Sequence, residues 1–199
     1  MSNRVQLQVF TDFVCPWCYL CTPRVAQLQR SHNIDVKWVF FPLHPDTPAE
    51  GLLLNDLFAG RNFDIEAAQA HLKTLLAAEG LQFNSRTHTY NSRLAQELAK
   101  AFDSLRDALY KAYFEDSRNI GDVEVLVSVA TANGIPEEDA RRVLTERTHK
   151  AAVDADWALA RQFGITGVPS FIAGGSKLVG AHPYATLERL IEAAPNILG

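Results

Sequence analysis

Cys15-Pro16-Trp17-Cys18-Tyr19-Leu20-Cys21 (CPWCYLC) holds all three cysteines of the chain. So dense a run admits three readings: a metal nest, a redox-active pair with a third thiol beside it, or small apolar side chains packed in a core. Its surroundings choose among them. Upstream, Val5–Phe10 alternates and is rich in β-formers, which predicts a strand. Downstream, Leu20, Val25 and Leu28 recur at near-helical spacing. The first cysteine therefore stands between a strand and a helix, and Pro16 suits the helix's first turn, where a missing N–H costs nothing. Pro23 lies inside the same pattern and predicts a kink or a restart, because it removes a backbone donor.

Disulfide exchange needs a thiolate that attacks sulfur and a second thiol close enough to resolve the mixed disulfide. A cysteine at a helix N-terminus meets unpaired N–H groups and the positive end of the dipole. Thiols in such CxxC sites have pKa values of roughly 3.5 to 7.5. Cys15 is thus expected to be the exposed nucleophile and Cys18, one turn in, the buried resolving thiol. Trp17, bulky and uncharged, shapes the rim where a substrate disulfide docks. Asp12, just upstream, reads as a turn or cap residue, with tuning of the thiol charge as the alternative. Cys21 falls three residues after Cys18, on an adjacent helix face. It reads as a small packed side chain, with an auxiliary thiol and a metal ligand as alternatives. C-x2-C-x2-C lacks a fourth cysteine for an iron–sulfur cluster, and zinc also needs a fourth ligand, for which His44 is the one candidate. No metal site is assigned.

The rest of the chain limits what this site serves. Its 199 residues are enough for one domain with an insertion. Hydrophobic residues make up 47% and charged ones 21%, an ordinary composition for a soluble protein. A net charge of −4 and the lack of a basic stripe argue against nucleic acid or an anionic membrane as partner. No apolar run approaches the ~20 residues of a membrane span. The N-terminus enters a strand pattern with no apolar h-region or cleavage site, so the expected location is cytoplasmic. Cysteines confined to one short run cannot staple distant segments as in a secreted scaffold, which makes them chemical rather than structural.

Ile34–Phe41 predicts a second strand, ended by Pro42, Pro45 and Pro48. From about Asp64 to Trp157 the pattern is helical: one helix from Ile65 to a stop at Gly80, one long helix through Leu94, Leu98, Leu105, Leu109 and Tyr113, another through DVEVLVSVATANG, and a run from Pro136 to Gly164. Then VPSFIAGG and KLVGA flank a Gly174-Gly175-Ser176 turn as a hairpin, and YATLERLIEAA closes as a helix. The class is α/β, in the order β-α-β, helical block, β-β-α. The domains expected are 1–50 with 155–199, and an inserted helical domain 51–154.

This order, with a CxxC after the first strand and Gly-Val-Pro entering a late hairpin, resembles the thioredoxin fold, and the insertion resembles its DsbA branch. The motifs DFVCPWCYL (12–20), PDTPAEG (45–51), AYFED (112–116), GITGVPSF (164–171) and VGAHP (179–183) are together similar to the FrnE-like, DsbA-family dithiol oxidoreductases. The resemblance implies that Pro169 is cis and faces the CxxC, and that Val168 offers backbone groups to an extended substrate peptide. The chain departs from the family at Cys21 (often glycine there), at Pro42 and His44 (an acidic residue and asparagine), at Gln96 (often histidine) and at His182 (often glutamine). His44 reads as a loop residue, or as a titrating neighbour of the thiolate.

The function implied is a thiol:disulfide oxidoreductase, with disulfide isomerase activity open to the same dithiol. It acts on protein or small-molecule disulfides and thiols, with no bound cofactor and with glutathione as a candidate co-substrate. Two alternatives stand beside it. One is a glutathione-dependent enzyme of the kappa-class glutathione transferase or 2-hydroxychromene-2-carboxylate isomerase type, in which serine stands at the Cys15 position. The other is a non-enzymatic redox sensor or metal-binding protein. Substrate, electron partner, direction of flow and oligomeric state are not written in these motifs.

Overall fold

The computed structural model describes residues 4–195, which divide into two compact units, one ending at Leu43 and resuming at Asp156, the other His44–Ala155.

The first unit is built on a four-stranded sheet. Strand β1 (Val5–Thr11) leads into helix α1 (Pro16–Ser31) and strand β2 (Ile34–Phe40), which pairs parallel to β1 with Val5 opposite Ile34. Late in the chain β5 (Ser170–Ala173) pairs antiparallel to β1, with Phe10 opposite Ser170, and β6 (Ser176–Val179) pairs antiparallel to β5. The sheet order is β2-β1-β5-β6, and helix α9 (Tyr184–Glu192) follows. This is the β-α-β … β-β-α arrangement the motifs implied.

Alternation along the strands divides the core. Val5, Leu7 and Val9 of β1, with Phe171 and Ala173 of β5, pack against Cys21, Val25 and Leu28 of α1 and Leu187, Leu190 and Ile191 of α9. Phe10 and Ile172, one residue out of phase, pack with Val39, Ala160 and Ile165. Each fully buried leucine of this kind contributes about 1.5–3 kcal/mol. Gly174 and Gly175, at φ +56° and +85°, form the two-residue turn between β5 and β6, a conformation that side chains with a Cβ resist.

Helix α1 runs through Pro23 without the break the sequence predicts. The proline removes the N–H that would reach the Tyr19 carbonyl, and the Thr22 hydroxyl donates to that carbonyl instead, at 2.9 Å. The orphaned acceptor is thereby satisfied from the neighbouring side chain.

The second unit is mostly helical. After a short strand β3 (Leu52–Leu53) and helix α2 (Leu54–Leu57) comes α3 (Ile65–Ala78), capped by Asp64, whose carboxylate accepts from Ala67 N–H at 2.9 Å. Strand β4 (His88–Thr89) pairs antiparallel with β3, a small sheet that the proline-rich sequence did not signal. The long helix expected next is two: α4 (Arg93–Ala101) and α5 (Arg106–Phe114), separated by a 3-10 turn over Asp103–Leu105. Phe102 leaves the helical region at φ −136°, ψ 85°, and Asp103 and Ser104 then begin a new helical start, the place such residues favour. Helix α6 (Val123–Ala132) is capped by Asp122. The next helical run also divides, into α7 (Glu137–Thr145) and α8 (Lys150–Gln162), with Arg147 at φ +55° between them.

The residue at that second break reaches a buried carboxylate. Glu97 on α4 has a side chain with 0% exposure. Arg147 grips both its oxygens, Nε to Oε2 at 2.7 Å and Nη2 to Oε1 at 2.6 Å, and Arg93 Nε meets Oε1 at 2.6 Å. The two guanidinium groups hold its carboxyl below the ordinary value of 4.5, against the opposing effect of burial. Among the described residues no helix is long and apolar enough to cross a membrane.

Candidate active site

The site of interest lies in the first unit, where β1, α1 and β5 meet. Cys15 occupies the N-cap of α1 with an extended backbone (φ −89°, ψ 112°), Pro16 takes the first helical position, and no acidic residue stands in the first turn. The Cys15 carbonyl accepts from Cys18 N–H at 3.1 Å and Tyr19 N–H at 3.2 Å, which winds the helix's first turn onto it. Asp12 fixes the approach. Its carboxylate is buried and accepts from Val14 N–H and from Leu43 N–H, each at 3.0 Å, while its carbonyl accepts from Cys15 N–H at 3.1 Å. It is a turn residue that ties the strand end to the loop after β2.

Val168 and Pro169 face this turn from the start of β5. The Val168–Pro169 bond is cis. The Cys15 thiol donates to the Val168 carbonyl at 3.3 Å, across a sequence separation of 153 residues. Ser170 Oγ donates to Gly167 O at 2.7 Å, and Gly180 N–H donates to Pro169 O at 2.8 Å, which pins the loop on both sides of the proline.

The thiols differ in their surroundings. Cys15 is only 3% exposed, so the nucleophile predicted to be open is recessed; Trp17, at 38%, is the exposed member of the motif. The Val168 carbonyl is one of the groups against the sulfur. Burial pushes the Cys18 thiol well above its ordinary range, and the adjacent Cys15 sulfur pushes it further; the Thr11 hydroxyl and Asp12 backbone act weakly in the other direction. Cys21 lies in the apolar cluster with Val25, Leu28 and the strand residues, at 2% exposure. All three are free thiols, and no group of metal-ligating side chains occurs among the described residues.

A cis X-Pro bond opposite a CxxC at a helix start, on this sheet order, is the arrangement the family resemblance called for, and the sequence pattern of the DSBA-like thioredoxin domain matches residues 6–192. The chain belongs to that family. Within this DsbA-like family the chain is similar to SCO1869 of Streptomyces coelicolor, a probable DsbA oxidoreductase, at 28% identity and a TM-score of 0.85, over 98% of this chain and 94% of that one. Two further solved structures share the fold alone. They are a 2-hydroxychromene-2-carboxylate isomerase (16% identity, TM-score 0.74, 92% and 93% covered) and the cytosolic disulfide reductase DsbM of Pseudomonas aeruginosa with GSH (18%, 0.64, 94% and 99%).

The structure gathers Asp12, Cys15, Pro16, Trp17, Cys18, Val168 and Pro169 of this DsbA-like chain in one unit and sets His44 in the other. His44 is half-buried, and burial, followed by the charge of Arg61, lowers its imidazole pKa, so it is neutral at neutral pH and supplies no cation. Gln96 is buried and donates to Ser92 Oγ at 3.2 Å, and the His182 ring meets the Val179 carbonyl at 3.0 Å. Thr11, beside Cys18, is the site residue that sequence reading missed. It reads there as one more β-branched strand residue, and only the pairing of β1 turns its hydroxyl to the sulfur.

Proposed function

We propose that this chain is a thiol:disulfide oxidoreductase in which Cys15 attacks and Cys18 resolves. The observation that carries the reading is the asymmetry of the two thiols: Cys15 at the positive end of α1, in contact with the Val168 carbonyl, and Cys18 held in its protonated form by burial. In the reducing direction the Cys15 thiolate attacks one sulfur of a substrate disulfide; a Cys15–substrate bond forms, the substrate bond breaks, and the departing thiolate takes a proton from water. Cys18 then attacks the Cys15 sulfur as its proton passes to the leaving sulfur, which forms the Cys15–Cys18 disulfide, breaks the Cys15–substrate bond and releases the second substrate thiol. Two electrons pass to the substrate, and the reverse sequence oxidises a dithiol. Isomerase activity follows if a substrate thiol resolves the mixed disulfide before Cys18 does.

Substrates are protein or small-molecule disulfides, with Trp17, Pro16, Val168 and Pro169 lining the approach; glutathione is the proposed thiol that returns the disulfide to the dithiol. A cytoplasmic setting fits this use of glutathione, and DsbM, a cytosolic reductase, shares the fold. The test is titration of the pure protein in glutathione redox buffers with thiol counting. A Cys15–Cys18 disulfide forms in wild type, Cys15→Ser falls to background exchange, and Cys18→Ser accumulates a mixed disulfide at Cys15. Failure to form the internal disulfide in oxidising buffer overturns the reading. Glutathione-dependent turnover retained in Cys15→Ser would move the chain to the transferase or isomerase chemistry.

A further inference from the structure

Arg86, in the helical unit, carries a positive charge that no carboxylate of the described residues meets. Its backbone is pinned by Gln69, with Arg86 N–H donating to Oε1 at 2.6 Å and its carbonyl accepting from Nε2 at 3.1 Å. Its guanidinium lies 4.9 Å from the Phe114 ring centre, 5.0 Å from Tyr113 and 5.8 Å from Phe83. Nη1 donates to the Tyr113 hydroxyl at 2.6 Å, and Nε is buried with no acceptor. An unsatisfied buried donor of this kind costs about 1–3 kcal/mol. Tyr113 cannot be the missing anion, because its hydroxyl donates to the His88 carbonyl at 3.0 Å and burial raises its pKa, keeping it protonated.

A cavity of about 60 Å³ opens against this arginine. Besides Arg86 and Tyr113 it is lined by Ser85, Thr87, His88, Tyr90 and Ser117, with no acidic residue; the Thr87 hydroxyl meets His88 Nδ1 at 2.8 Å. At 10–15 Å³ per water it has room for roughly four to six waters, enough for a small polyatomic ion and too little for a peptide or nucleotide. A guanidinium prefers a planar or tetrahedral oxyanion that accepts from more than one of its N–H groups.

We propose that this cavity is a binding site for a small oxyanion, a phosphate or carboxylate group, with Arg86 as its cation and the surrounding hydroxyls as further donors. The site is separate from the thiol chemistry and does not depend on it.

The full chain's thermal unfolding, titrated with inorganic phosphate and separately with acetate, tests it, with a chloride series at matched ionic strength to account for screening. Expected is a saturable rise in Tm with phosphate, acetate or both, absent from the chloride series, as binding to the native state alone requires. The responding anion identifies the group. Arg86→Gln abolishes the response. Ser117 sits at φ +54°, a conformation Asn and Asp accept more readily than most residues. Ser117→Asp therefore supplies the carboxylate internally, and it should raise Tm without added anion and weaken the phosphate or acetate response at least tenfold. Ser117→Asn, of similar size but uncharged, should not raise Tm without added anion, which separates the carboxylate's charge from its bulk. If Arg86→Gln fails to fold, the two Ser117 variants decide. No saturable response in wild type, or an unchanged one in Arg86→Gln or Ser117→Asp, overturns the proposal.

Discussion

Cys18 in the sheet-based unit and Glu97 in the helical unit are both closed off from water, at 3% and 0% exposure, yet they are held in opposite protonation states. Cys18 has a sulfur, a hydroxyl and a backbone N–H around it and no full positive charge to offset its desolvation, so burial wins and the thiol keeps its proton. Glu97 pays the same kind of desolvation but has two guanidinium groups on its oxygens, so the charge wins. Burial alone does not decide the state of an acid; the count of cations within hydrogen-bond reach does. The contrast also separates roles. A fully bracketed carboxylate is structural, whereas a thiol held above its ordinary range is a stored proton that chemistry can release.

The largest effect expected from breaking this contrast is at Glu97. Glu97→Gln takes the shared anion from Arg147 and Arg93 and should cost about 1–3 kcal/mol, because Arg93 keeps Asp154 at 2.7 Å and water reaches Arg147, which is 39% exposed. Denaturant unfolding of the two proteins at neutral pH measures it. The pH dependence has a definite sign. Because the folded carboxyl titrates below 4.5, its stabilisation is complete above that value and is lost as pH falls through the folded pKa. Wild type should therefore lose stability below about pH 4.5 more steeply than Glu97→Gln; equal slopes would remove Glu97 from the account.

Cys18 should behave in the opposite sense. Its folded pKa is raised above 9.0, so the folded state retains a proton that the unfolded state gives up, and stability falls as pH rises above about 9. The slope approaches ~1.4 kcal/mol per pH unit at most. Unfolding of the reduced protein between about pH 8 and 10, below the range where Tyr113 contributes, should show this decline, and Cys18→Ser should reduce it. A decline equally steep in the serine variant would place the titrating group elsewhere.

The smallest effect is expected at Thr22, which satisfies a carbonyl without any charge. Thr22→Val keeps the shape of the side chain and removes its donor to Tyr19 O, and should cost about 1 kcal/mol. A cost near zero would mean that water replaces the hydroxyl.

How much of this was legible beforehand depended on whether the deciding interactions were local. The CxxC, the helix start at Pro16 and the hairpin at Gly174-Gly175 are set by neighbours in sequence, and their patterns survive into the structure unaltered. Val168-Pro169 stands far along the chain from Cys15, and its place was readable only through the family resemblance. What escaped notice rests on non-local pairing. Glu97 looks like any solvent-facing residue of an amphipathic helix until Arg147, fifty residues on and between α7 and α8, is brought to it. Pro23 misleads in the other direction, because a proline signals a break only when nothing nearby replaces its bond. Its place at the helix N-terminus predicts an open Cys15, but the fold recesses the sulfur and sets the Val168 carbonyl against it.

That last contact has a consequence for timing. A sulfur donates to a carbonyl only while it carries its proton, so the Val168 oxygen is engaged in one state of Cys15 and vacated in the thiolate or the disulfide. A carbonyl oxygen has two lone pairs, so an approaching N–H shares it with the thiol in one state and has it alone in the other. The chain thus links, through a single acceptor atom, the readiness of its sulfur to react and the vacancy beside it.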